Sequence, residues 1–233
     1  MKRIPLTISI ILLLCCYANA QSQVDRGLVK DGTYINNGFG FTYTYPKDWT
    51  VHGDATNERI KEAGKEEIVA SGALSKGSVE ASMKNTHYLL TVFRHPVGTP
   101  GITFNPAVML IAERVDHAPG IKTGKEYILN TRSILKRTGA QVTDEEPTEH
   151  RFAGWQFFRA NFALQINGIP VIQAHFATVV RGYALLFIFM GPDQQSVDEI
   201  AKSMETFALV VPPVRRGVIT VTGTEPKPKA KPN

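Results

Sequence analysis

The stretch from Phe152 to Met190 constrains this chain more than any other. It reads as three consecutive antiparallel strands with turns at Asn167-Gly168 and Arg181-Gly182. In the first strand Phe158, Ala160, Phe162, Leu164 and Ile166 are apolar at every second position, and Arg159, Asn161 and Gln165 face the other way. In the second, Ile172, Ala174 and Phe176 alternate with Gln173 and His175. Side chains alternate faces along a strand, so register decides which rows meet. A two-residue turn at Asn167-Gly168 sets Phe162 opposite Gln173 and Ala160 opposite His175, mixing the rows. An odd loop, Asn167 to Ile169, sets Phe162 opposite Ala174 and Leu164 opposite Ile172, and this is the expected register. It stands His175 beside Asn161 and near Ile188. At Arg181-Gly182 two residues suffice, pairing Val180 with Tyr183, Thr178 with Leu185 and Phe176 with Phe187. The third strand, Tyr183 to Met190, is apolar on both faces and needs cover on both. Gly191-Pro192 ends it, because proline cannot donate to a ladder.

Residues 1–20 have the pattern of a cleaved export signal. Lys2 and Arg3 precede the apolar run Ile8 to Leu14, and Ala18-Asn19-Ala20 is a small-x-small cleavage site that makes Gln21 the mature start. The run is short for a membrane span. Lipid on Cys15 or Cys16 is disfavoured, because Leu14 and Cys15 stand where a small residue should precede a lipidated cysteine. The expected product is secreted or periplasmic. Both cysteines fall in the signal, so the mature chain has none and must stand on its core. That excludes thiol catalysis and disulfide exchange.

The formal net charge of +5 falls to +3 once Lys2 and Arg3 are removed. From Gln21 to Val211 there are 19 basic and 20 acidic residues, so the body is nearly neutral. Beyond Val211, Arg215, Arg216, Lys227, Lys229 and Lys231 face a single acid, Glu225. A nucleic-acid partner calls for a basic face on the domain, and the charge here belongs to the tail. Residues 212–233 begin at Pro212-Pro213 and finish in alternating proline and lysine. They are expected to be a disordered, extended basic arm directed at an acidic envelope partner or an anionic envelope polymer.

Between signal and tail the chain reads as one domain, residues 21–211. Asn37-Gly38 marks a hairpin, and Phe39, Phe41, Tyr43 and Tyr45 give the following strand an aromatic face that stops at Pro46. Asn57 to Ala70 reads as a surface helix, Ser71 to Ser82 as loop, and His87 to His95 and Ala107 to Val115 as strands. Thr123 with Glu126 three residues on forms a capping box for a helix that stops at Gly139. Ala140 to Arg151 reads as a polar edge strand interrupted by Pro147. Ser196 to Phe207 is the last helix, with Val197, Ile200, Ala201, Met204 and Phe207 inward.

A tyrosine and asparagine before Gly38-Phe39-Gly40-Phe41, then Tyr45-Pro46 and Trp49, resemble the opening of PsbP-like proteins. The resemblance resumes at Gly154-Trp155 and in the Met204-x-x-Phe207 end of the last helix. It implies an α+β fold, a mostly antiparallel sheet of six to eight strands packed between helices. Its motifs are structural and say little of activity. The chain departs from the pattern between Ala55 and Thr86, which is longer than the family core needs.

Reactive constellations are sparse. The six histidines show no i,i+4 pair and no His-Glu-x-x-His, and there is no Gly-x-Ser-x-Gly, phosphate loop or dinucleotide fingerprint. No metal or cofactor is expected. The acidic cluster Asp144-Glu145-Glu146 with Glu149 reads as a solvated edge that resists strand addition in preference to a calcium site. The aromatic row from Phe39 to Trp49 reads as core. His175 and Asn161 remain as candidate ligand-binding residues, lining a cleft beneath a helix. The functional expectation is a non-catalytic binding or scaffold protein of the cell envelope. A carrier of a small apolar ligand is the alternative, and a hydrolase built on His175 and a nearby serine stands last.

Overall fold

The computed structural model describes residues 24–142, 146–166 and 168–210. The export signal, the tail from Pro212, and Asp144 and Glu145 of the acidic cluster lie outside the described residues. Among the described residues twelve strands and four helices run in the order β1 (Leu28–Lys30), β2 (Thr33–Asn36), β3 (Phe41–Thr44), β4 (Thr50–Val51), α1 (Asp54–Ala70), α2 (Lys76–Asn85), β5 (Thr86–Phe93), β6 (Ala107–Arg114), α3 (Gly124–Arg137), β7 (Gln141–Val142), β8 (Thr148–Phe152), β9 (Trp155–Ile166), β10 (Ile169–Val180), β11 (Tyr183–Gly191), α4 (Gln194–Ala201), a 3-10 turn (Lys202–Thr206) and β12 (Ala208–Leu209).

The α+β class holds, and every strand pairing is antiparallel. The larger sheet has eight strands, ordered β4-β5-β6-β11-β10-β9-β7 with β8 also on β9. A second sheet of four, β1-β2-β3-β12, was not expected. It exists because the aromatic row is a buried face: Phe41 and Tyr43 are fully buried, and each packs its ring against Phe187 of β11.

Cover on both sides of β11 is what its two apolar rows require. Leu185, Phe187 and Phe189 face the small sheet, Val197 of α4 and Met204 and Phe207 just beyond it. Leu186, Ile188 and Met190 face the opposite way, into a cluster with Tyr127 and Ile128 of α3. Fully burying each such side chain stabilises by about 1.5–3 kcal/mol. The β10–β11 hairpin has the expected register, with Val180 opposite Tyr183 and Phe176 opposite Phe187. Its turn places both Arg181 (φ 53°) and Gly182 (φ 78°) in the left-handed region, as a two-residue hairpin turn demands.

The β9–β10 register is corrected. Ile166 pairs with Ile169, Phe162 with Gln173, and Ala160 with His175, which is the two-residue turn and not the odd loop. Parity misleads because both faces of β10 are covered: Val171 and Ala177 join one cluster, Ala174 and Phe176 the other. The turn chemistry therefore decides, with Gly168 at φ 77°. His175 and Asn161 consequently lie on opposite faces of the sheet.

Three further boundaries differ from expectation. Residues 71–82 are not all loop, since α2 starts at Lys76, where Ser75 accepts a hydrogen bond from Ser78 N at 3.2 Å and Val79 is buried. Small residues hid this helix, but its cap is an ordinary one. The polar edge is two short strands, β7 and β8, both on β9. The last helix tightens into the 3-10 turn after Ala201. The capping box of α3 is present, with Thr123 N donating to Glu126 Oε2 at 2.6 Å. Thr123→Ala is expected to cost about 1 kcal/mol, read as a Tm lower by roughly 2–4 °C in thermal denaturation.

Candidate functional site

His175 lies on the α3 side of the larger sheet, between Ala160 and Ile188 in the ladders, and is 3% exposed. Its Nε2 shares a 2.8 Å hydrogen bond with Gln173 Oε1, and its ring tilts against Phe162 at 4.7 Å. Burial alone lowers its pKa to about 3, so the ring is neutral. Its hydrogen-bond partner is the Gln173 amide, and among the described residues no serine or carboxylate bonds it. The hydrolase built on His175 therefore lacks its geometry.

Asn161 stands on the other face, in an open cleft of about 500 Å³ with Thr148, Glu149, His150, Arg159, Gln194 and Asp198. Three elements build it. Strand pairing sets Thr148 opposite Arg159 and His150 opposite Phe157, so β8 and β9 present these side chains side by side. Asn161 follows Arg159 by two residues on the same face. The first two turns of α4 bring Gln194 and Asp198 across, the start of the helix fixed by Asp193, which accepts from Ser196 N at 2.7 Å.

Arg159 is the centre of this cleft. Its Nη2 is ion-paired with Asp198 Oδ1, and its Nε donates to Asn161 Oδ1 at 3.1 Å. Gln194 Nε2 donates to the same Asp198 oxygen at 3.0 Å. The guanidinium carbon lies 5.3 Å from the centroid of Phe176, a cation–π contact that fixes its plane. His150 packs edge-on against Phe176 at 5.3 Å, and its Nε2 is 3.1 Å from Thr148 Oγ1. Burial, and then the nearby Arg159 charge, lower the pKa of His150, so it too is neutral near pH 7.

Chemically the cleft is a set of side chains held in place by one another. Glu149 is turned to Arg151 at 2.9 Å, so it does not back the Thr148–His150 pair. Among the described residues no group of three His, Cys, Asp or Glu side chains is placed to hold a metal ion. Glu146, the described part of the acidic cluster besides Glu149, pairs with Lys125 at 3.1 Å.

Sequence reasoning singled out Asn161 but not Arg159, Gln194 and Asp198, which share its cleft. Alternation marks Arg159 only as polar. The usable signal was that its neighbours on that face, Ala174 and Phe176, are apolar, so a charge there needs a partner supplied by another element.

No family model matches the chain, and no curated protein matches it. Among solved structures it is similar to a protein of Bacteroides thetaiotaomicron VPI-5482, with 12% identity over 78% of this chain and 49% of that one and a TM-score of 0.43. The chain thus spans about half the length of that protein. It is similar to cyanobacterial PsbP of Synechocystis sp. PCC 6803, with 10% identity over 78% and 96% and a TM-score of 0.45. A third similarity is to LpqN of Mycobacterium tuberculosis, described as involved in cell envelope biogenesis, with 10% identity over 72% and 82% and a TM-score of 0.38. PsbP, whose family the opening motif resembles, is thus among the similar structures. At these identities none of the three bears on function.

Proposed function

We propose that the chain is an exported, non-catalytic binding protein of the cell envelope that recognises a polar group at the Arg159 cleft. The observation that carries this reading is the preorganised arginine: two side chains and a ring hold Arg159 before any ligand arrives. Export rests on the signal pattern of residues 1–20. The basic arm beyond Val211 adds salt-sensitive attraction to an acidic partner or anionic polymer. A carrier of apolar cargo is less well supported, because the cleft between β9 and α4 is lined by charged and amide groups.

The test is retention of envelope material by immobilised protein, compared with Arg159→Ala and Asp198→Ala. Each variant is expected to lose about 1 kcal/mol of stability or less, since the ion pair is only partly buried, and yet to lose the retained partner. Equal retention by all three proteins would refute the cleft as the site. Turnover of an ester or phosphoester that vanishes in His150→Ala would overturn the non-catalytic reading.

A further inference from the structure

The β9–β10 hairpin is open at its base. The two strands pair from Ile166 and Ile169 only as far as Phe158 and Ala177. Strand β10 nevertheless continues to Val180, paired on its other side with β11 down to Tyr183. Strand β9 starts three residues earlier, at Trp155, and there it is paired only along its other edge, with β8. Among the described residues, Thr178, Val179 and Val180 are therefore left without a ladder neighbour on one side. Between the diverging strands is a slot of about 320 Å³, lined by Trp155, Gln156 and these three residues and floored by Lys122 to Gly124 at the start of α3. Such an interior strand edge is a template for another strand.

The described chain ends beside the mouth of this slot. Val210 N donates to Gly40 O at 3.0 Å, next to Phe39, whose ring packs edge-on against Tyr183 at 5.5 Å. Tyr183 is the ladder partner of Val180. Phe207, three residues before Val210, packs against Trp155 at 5.4 Å. Leu209 is 44% exposed here although its ladder partner Phe41 is fully buried. Six residues, 211–216, separate this exit from Gly217-Val218-Ile219-Thr220-Val221-Thr222, and extended they reach about 20 Å. Five of those six, Val218 to Thr222, are β-branched apolar or threonine in unbroken sequence, a strand composition that stands apart from the proline-lysine run after it.

We propose that Gly217–Thr222 docks in this slot as an added strand against Thr178–Val180 of the same chain, with Trp155 covering it. The docked segment anchors the basic arm, so that Lys227, Lys229 and Lys231 project from the end of the domain nearest Trp155. This inference is independent of the Arg159 cleft, which lies on other residues.

The test uses the full chain with Cys15→Ser and Cys16→Ser, which leaves no other thiol. Val179→Cys is combined in turn with Val218→Cys, Ile219→Cys and Thr220→Cys under mild oxidation. One of the three pairs is expected to cross-link within a monomer. In hydrogen exchange, the amides of Thr178 to Val180 should lose at least tenfold protection on deletion of residues 212–233 and none on deletion of 223–233. Cross-links that form only between two chains would overturn the proposal in favour of strand exchange between copies. Protection that is unchanged by the longer deletion would overturn it outright.

Discussion

Gly124→Ala is expected to cost about 3 kcal/mol, the upper end for an overpacked site, and to lower the Tm by roughly 6–12 °C. A Cβ built on Gly124 would lie 1.9 Å from the carbonyl oxygen of Ala177 and 2.6 Å from its carbon. Both are backbone atoms of β10, which is held by β9 and β11, so nothing flexible can yield. The first turn of α3 would have to lift, drawing buried Tyr127 and Ile128 off the sheet. The backbone of Gly124 is ordinary helix, so the cost is steric and not conformational. Gly64 in α1 supplies the control: a Cβ there meets nothing within 4 Å. Gly64→Ala should therefore gain about 1 kcal/mol from helix propensity. Thermal denaturation of the two variants should move in opposite directions. A Gly124→Ala protein that melts with the wild type would mean that α3 does not rest on β10.

That contrast shows where sequence reading works and where it stops. No local pattern tells that Gly124 touches a strand and Gly64 touches nothing, because close approach is a tertiary fact that composition does not carry. Turn chemistry fared better. Arg181-Gly182 determined its register unaided, and Thr123 with Glu126 marked a helix start, since both depend only on residues within a few positions. At Asn167-Gly168 the same local chemistry pointed to two residues. Parity favours uniting Phe162 with Ala174 instead, and fails because β10 is covered on both faces. The make-up of the candidate site depends on this register. One residue of slip places Asn161 beside His175, and the true pairing sends them to opposite sides. The ion-pair partner of Arg159 comes from α4, 39 residues downstream at Asp198, which Gln194 of the same helix also bonds. No local signal announces such a meeting.

The second large effect follows from the side to which His175 was sent. Between pH 6.5 and about 3 the wild type is expected to lose about 1.4 kcal/mol of stability per pH unit through this residue. Above pH 6.5 the ring is neutral both folded and unfolded, so it adds no pH dependence. As the pH falls below 6.5 the unfolded chain takes up a proton that the folded chain refuses, because burial holds the folded pKa near 3. The unfolded state gains, and the loss continues until the folded ring can be protonated as well. Carboxylates titrate in the same window, so the wild type alone does not isolate the effect. The informative quantity is the difference between denaturation free energies of wild type and His175→Leu, measured from pH 7.5 to 4. At neutral pH the variant is less stable, since Gln173 Oε1 loses its 2.8 Å partner in a buried site. On acidification its curve should fall less steeply, and the two should converge and then cross. Parallel curves across the whole range would mean that the folded protein protonates this ring as readily as the unfolded chain does. His175 would then be open to water, and its burial beneath α3 would be refuted.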